Sequence, residues 1–103
     1  MNIGLLKYMV KKELQKLKNK EKAKILLRFF KTGKGEYGEG DVFLGIKVPD
    51  LRLVAKNNLN INLKELQNLL DSDIHEHRLT ALLILVENFK KEEKEEVFNF
   101  YIN

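Results

Sequence analysis

The chain has 103 residues, enough for one domain, with 44% apolar and 33% charged residues, one proline and no cysteine. That balance fits a folded, helix-rich protein, and the lack of cysteine excludes disulfides, iron-sulfur clusters, thiolate zinc sites and cysteine nucleophiles. The net charge of +4 divides unevenly: residues 1–35 carry +9 and residues 36–103 carry −5.

No apolar run approaches the roughly 20 residues of a membrane span. We therefore expect a chain that sits in the cytoplasm without membrane contact. The basic first third suits a phosphate backbone, since each neutralised phosphate releases counterions. A composition of 16 lysines and 10 asparagines would also make any surface basic, whatever its partner.

Ile3, Leu6, Val10, Leu14 and Leu17 recur at steps of three and four, which predicts a first amphipathic helix. Asn19 is placed to cap a second helix with Ala23, Leu26, Leu27 and Phe30 on one face, stopped near Gly33. The two should fold as a hairpin. On the second helix Lys20, Lys24, Arg28 and Lys31 recur at four, four and three residues, so they form one stripe, the sharpest basic feature in the sequence. These four are the candidate nucleic-acid-binding residues, as phosphate rather than base contacts.

Five of the six glycines fall between Gly33 and Val48, and Pro49 then opens a short third helix through Leu51, Leu53, Val54 and Ala55. Apolar side chains at Tyr37, Val42, Phe43, Leu44 and Ile46 predict that this loop is packed, with some of its glycines at positive φ. Asn62 with Glu65, and Asp73 with Glu76, read as capping boxes before a fourth and a fifth helix. The fifth, to about Lys90, is apolar on nearly every side, and an acidic first turn near Glu92 marks a sixth. The expected class is all-α, about six helices in antiparallel pairs within a single domain over residues 1–103.

Several patterns resemble catalytic motifs without their context. Gly33, Gly35 and Gly38 spell GxGxxG, but they follow a helix and sit among Glu36, Glu39 and Asp41, which would repel phosphate. His75 and His77, two apart on a helix, point away from each other and cannot share a metal ion. They and Glu76 read as surface residues of a first helical turn. Arg78 falls in phase with Leu82 and Leu85 on the apolar side, so its charge requires a partner, most simply an ion pair bracing two helices. No Ser/His/Asp set, carboxylate pair or HExxH can be assembled, so no catalytic residue, metal ligand or cofactor is assigned.

The stretch from Phe29 to Pro49, FFKTGKGEYGEGDVFLGIKVP, resembles the N-terminal signature of the DNA alkylation repair family, the AlkD-like DNA glycosylases. Ile74-His75-Glu76-His77-Arg78-Leu79 with Ala81 to Leu85 resembles its next block. The resemblance implies a right-handed solenoid of HEAT-like helix pairs whose basic concave face holds duplex DNA. It also implies release of cationic N3- and N7-alkylated purines without flipping the base, since such a base already leaves readily and the positive sugar mainly needs stabilisation. In the family those tasks fall to tryptophans and an aspartate in later helices, and this chain has no tryptophan. The expectation is an N-terminal half that keeps DNA-backbone binding and lacks excision. It would be completed by a C-terminal partner chain or would self-associate through its last helix. The competing expectation is a small non-catalytic helical scaffold for protein-protein contacts.

Overall fold

The structure, a computed structural model, describes residues 9–30 and 40–102, the last turns only as backbone. Five helices follow in order: α1 (Met9–Lys16), α2 (Lys20–Phe29), α3 (Val48–Lys56), α4 (Leu63–Leu70) and α5 (His75–Ile102). Apart from an isolated parallel bridge between Val42 and Ile74, the described residues are helix, turn and loop. The all-α expectation therefore holds.

The helix count is five among the described residues rather than six, because the fifth and sixth expected helices are one. α5 runs unbroken for 28 residues, about 42 Å at 1.5 Å per residue. Between Lys90 and Glu96 stand only Lys and Glu, both strong helix formers, with neither Gly nor Pro to stop the helix. The acidic run at Glu92 and Glu93 is thus a solvated stretch of helix interior, in reach of Lys90 and Lys91 at steps of three and four, and not a new first turn.

The first part of α5 is the spine of the core. Ala81 and Ile84 on it meet Val10 and Leu14 from α1, Leu51, Val54 and Ala55 from α3, and Leu69 from α4, all buried. α3 and α4 both pack along α5, and α1 touches α3 and α5. The hairpin expected of the first two helices does not form among the described residues. α2 buries only Ala23 and is fastened instead by the segment that follows it.

That segment, 40–47, buries Phe43, Leu44 and Ile46 as expected, whereas Val42, also expected to pack, is 47% exposed. The Asn19 N–H donates to the Leu44 carbonyl at 2.8 Å, which ties the start of α2 to it. Gly45 lies at φ +83°, and a Cβ there would overlap the Asn19 carbonyl oxygen and come within 2.7 Å of the Ala23 nitrogen. Glycine is therefore required both by backbone conformation and by the closeness of α2. Gly40 also takes a positive φ, +85°, while Gly33, Gly35, Gly38 and Tyr37 lie outside the described residues.

The caps divide between expectation and correction. Asn62 caps α4, its side chain accepting from Glu65 N at 2.8 Å, but the Glu65 carboxylate reaches Val10 N at 3.1 Å and not back to Asn62. Asp73 forms no capping box with Glu76. The first N–H of α5, on His75, is taken at 2.8 Å by the Val42 carbonyl, and Val42 N in turn reaches Asp73 O at 3.2 Å. Glu76 is thereby released for another task.

Candidate nucleic-acid interface

Asn19 opens α2 with its side chain accepting from Lys22 N at 3.0 Å, and the basic stripe begins immediately after it. Lys20, Lys24 and Arg28 are all exposed. Steps of four residues place them about 6 Å apart along the axis, a row of about 12 Å. Phosphates along one DNA strand rise about 3.4 Å each, so such a row spans several. Among the described residues the one ion pair is Arg78 with Asp41, so Lys20, Lys24 and Arg28 have no carboxylate partner among those residues. Lys31, the fourth member, lies outside the described residues.

What holds α2 in place is a buried carboxylate that the sequence reading took for a surface residue. Glu76, 1% exposed, accepts from the N–H groups of Leu44 and Gly45 at 2.9 Å and of Ile46 at 3.3 Å. An irregular buried segment has no ladder to satisfy these donors, and a single carboxylate supplies the acceptors. Its position four residues before Thr80, whose hydroxyl donates to the Glu76 carbonyl at 2.7 Å, keeps both on the buried side of α5. The same spacing that suggested a capping box with Asp73 concealed this role.

His77 is likewise buried, not a surface residue. The Ser72 hydroxyl lies 2.8 Å from His77 Nδ1 and accepts from Ile74 N at 3.1 Å, so its own proton is free to be donated to the ring. Burial, reinforced by the charge of Lys11, pushes the imidazole down to about 4, which keeps it neutral at pH 7. His75 also departs from the surface reading: it is half-buried and lies with its ring 4.8 Å from Phe43 and 5.8 Å from Phe30. Phe30 stacks on Phe43 at 5.4 Å. The ring cluster therefore joins the end of α2 to the start of α5. Arg78 has the ion pair expected of it, with Asp41 at 2.8 Å, and also donates to the Ser72 carbonyl at 2.8 Å. Its partner belongs to the loop before α3 rather than to a second helix.

A cleft of about 330 Å³ separates α2 from the start of α3, lined by Lys22, Ile25, Leu26, Gly45, Ile46, Lys47 and Val48. Hydrogen-bond contact with the Lys47 amine, then burial, holds the Lys22 ammonium below the usual lysine range, and the Asp50 charge opposes this. Sequence periodicity missed this pair because the two lysines are 25 positions apart and meet only through the fold. Of the basic features, periodicity found the row on one helix and not the pair across two elements. Among the described residues no three His, Cys, Asp or Glu side chains gather as metal ligands, and no helix is long and apolar enough to cross a membrane.

A family model described as DNA alkylation repair enzyme matches residues 10–103. The match takes in every described helix after its first residue, the stripe and the Glu76 anchor. No curated protein and no solved structure matches the chain at a significant level.

Proposed function

This chain belongs to the DNA alkylation repair enzyme family, and on that premise we propose that it holds duplex DNA by its phosphate backbone through Lys20, Lys24, Arg28 and Lys31. The observation that carries the reading is the row of exposed α2 cations, Lys20, Lys24 and Arg28, with no carboxylate partner among the described residues. Cations that the protein does not neutralise itself are available to phosphates, and their contacts give affinity without reading sequence. The anchoring of α2 by Glu76, Gly45 and the ring cluster supports the same reading, since a row of charges is useful to a partner only if its helix is fixed.

In this reading the five helices are part of a HEAT-like solenoid, and the activity of the complete system is removal of N3- or N7-alkylated purines. The tryptophan and aspartate functions that the family resemblance implies have no counterpart among the residues of this chain, which lacks tryptophan. Excision would then require residues supplied from elsewhere, while backbone binding resides here. A non-catalytic protein scaffold, the competing reading, would leave the uncompensated stripe without a task.

Two assays on the chain separate these readings. The chain should bind unrelated duplexes with similar affinity at low salt, and should release no N7-methylguanine from methylated duplex above the uncatalysed rate. Release of the base by the chain alone would overturn the division of labour, and a lack of duplex binding at low salt would overturn the functional reading itself.

A further inference from the structure

Among the described residues, α2 and α5 each present exposed apolar side chains that share a helix face. On α2, Ile25 is 65% and Phe29 75% exposed, beside the half-buried Leu26 and Lys22. On α5, Val86 is 48% and Phe89 66% exposed, and Glu93 beyond them is exposed too. Side chains three and four apart share a helix face, so Lys22, Leu26 and Phe29 form one row and Val86, Phe89 and Glu93 another.

The rows match when the helices run antiparallel. From Phe29 to Leu26 is three residues and from Leu26 to Lys22 four; from Val86 to Phe89 is three and from Phe89 to Glu93 four. Phe29 then meets Val86, Leu26 meets Phe89, and Lys22 meets Glu93. The charge falls where it is needed. Lys22 and Lys47 crowd one another at that end of the cleft, and Glu93, with Glu92 and Glu96 near it on α5, adds carboxylates to the Asp50 charge that already acts on Lys22. In the opposite direction Glu93 would lie over Phe29 and the lysines over Val86.

The same molecule cannot make this contact. α5 is unbroken from His75, whose ring lies against Phe30 at the end of α2, and Phe89 is 14 residues further on, about 21 Å away along the axis. We propose that the α2–α3 cleft of one copy receives residues 86–93 of α5 from a second copy. The two surfaces differ, so the contact is heterologous: it closes into a dimer where both copies exchange helices and extends head to tail where they do not. By helical phase the docking row lies on a different side of α2 from Lys20, Lys24 and Arg28, so the interaction does not rest on the DNA-binding reading.

The chain has no cysteine, which allows a direct test by cross-linking. Phe29→Cys and Val86→Cys chains, mixed and oxidised, should form a disulfide-linked pair in preference to either chain with itself. Sedimentation should show concentration-dependent association of the wild type, weakened at least tenfold by Phe29→Asp, K22E or E93K and restored in the K22E/E93K double variant. Helical circular dichroism of each variant checks that the substitutions leave the fold intact. The triple variant K20Q/K24Q/R28Q should associate like the wild type. A wild type that stays monomeric at several hundred micromolar, or association that K22E and Phe29→Asp leave unchanged, would overturn the proposal.

Discussion

Glu76 shows how one side chain carries a segment that no regular structure supports. Three buried N–H donors converge on its carboxylate, and removing the acceptor leaves them unpaired, at about 1–3 kcal/mol for each group. Glu76→Gln is the sharper substitution, because it keeps the volume while turning an amide donor toward donors. Urea denaturation should show a loss of at least about 2 kcal/mol. The glycines give a matched pair at the same scale. Gly40 and Gly45 share a positive φ, but a Cβ at Gly40 meets open space while one at Gly45 meets α2 backbone. Gly40→Ala should cost about 1 kcal/mol for conformation alone, and Gly45→Ala distinctly more, with α2 displaced. Equal costs would show that α2 does not press on this segment.

His77 makes a pH prediction whose sign follows from burial. Its folded-state value, about 4, lies below the ordinary 6.5, so between those values the unfolded chain binds the proton and the folded chain does not. The contribution is fully present above about 6.5 and is lost as pH falls toward 4, up to about 3 kcal/mol for the whole shift. Glu65 works against it. Burial raises that carboxyl, despite the opposing Val10 N–H, so in the acid range it favours the folded state as pH falls. The wild type should therefore lose stability less steeply than His77 alone dictates, and comparison with His77→Gln isolates the histidine. Parallel stability curves for the two proteins from pH 7 to 4 would contradict the assignment.

Among the elements, those written locally were readable and those written by contact were not. Three- and four-residue spacing revealed α1, α2 and α4, Pro49 revealed the start of α3, and Asn19 and Asn62 revealed two caps, because those signals act within one turn. The break expected before Glu92 was misread because an acidic run is compatible both with a first turn and with the interior of a solvated helix; only a stop signal would distinguish them, and none is present. Lys91→Pro should cost about 3 kcal/mol of helix and reduce helical circular dichroism, whereas two separate helices meeting there would tolerate it. The expected α1–α2 hairpin is not seen among the described residues. One side of α2, at Asn19, Ala23 and Phe30, leans on the irregular segment 43–48, whose approach depends on Gly45 and Glu76, and periodicity carries no record of such an irregular partner. The basic stripe was visible in advance since it lies on one helix, and the Lys22–Lys47 pair was not since it spans two elements.

For the whole molecule, two dense groups of described charge outside the core are those on α2 and on the far half of α5. The exposed cations of α2 lie at one end of the chain's course, and the exposed Glu92, Glu93, Glu95 and Glu96 lie on the far half of α5. On the proposed reading a phosphate backbone would be drawn to the α2 row, since on α5 the exposed Lys90, Lys91 and Lys94 are offset by these glutamates. The most direct measurement is the salt dependence of duplex binding by fluorescence anisotropy, for the wild type and for a variant with Lys20, Lys24, Arg28 and Lys31 changed to Gln. The account predicts weaker binding by a similar factor for unrelated sequences, with the slope of log affinity against log salt flattened by up to about four phosphate contacts. An unchanged slope would contradict it.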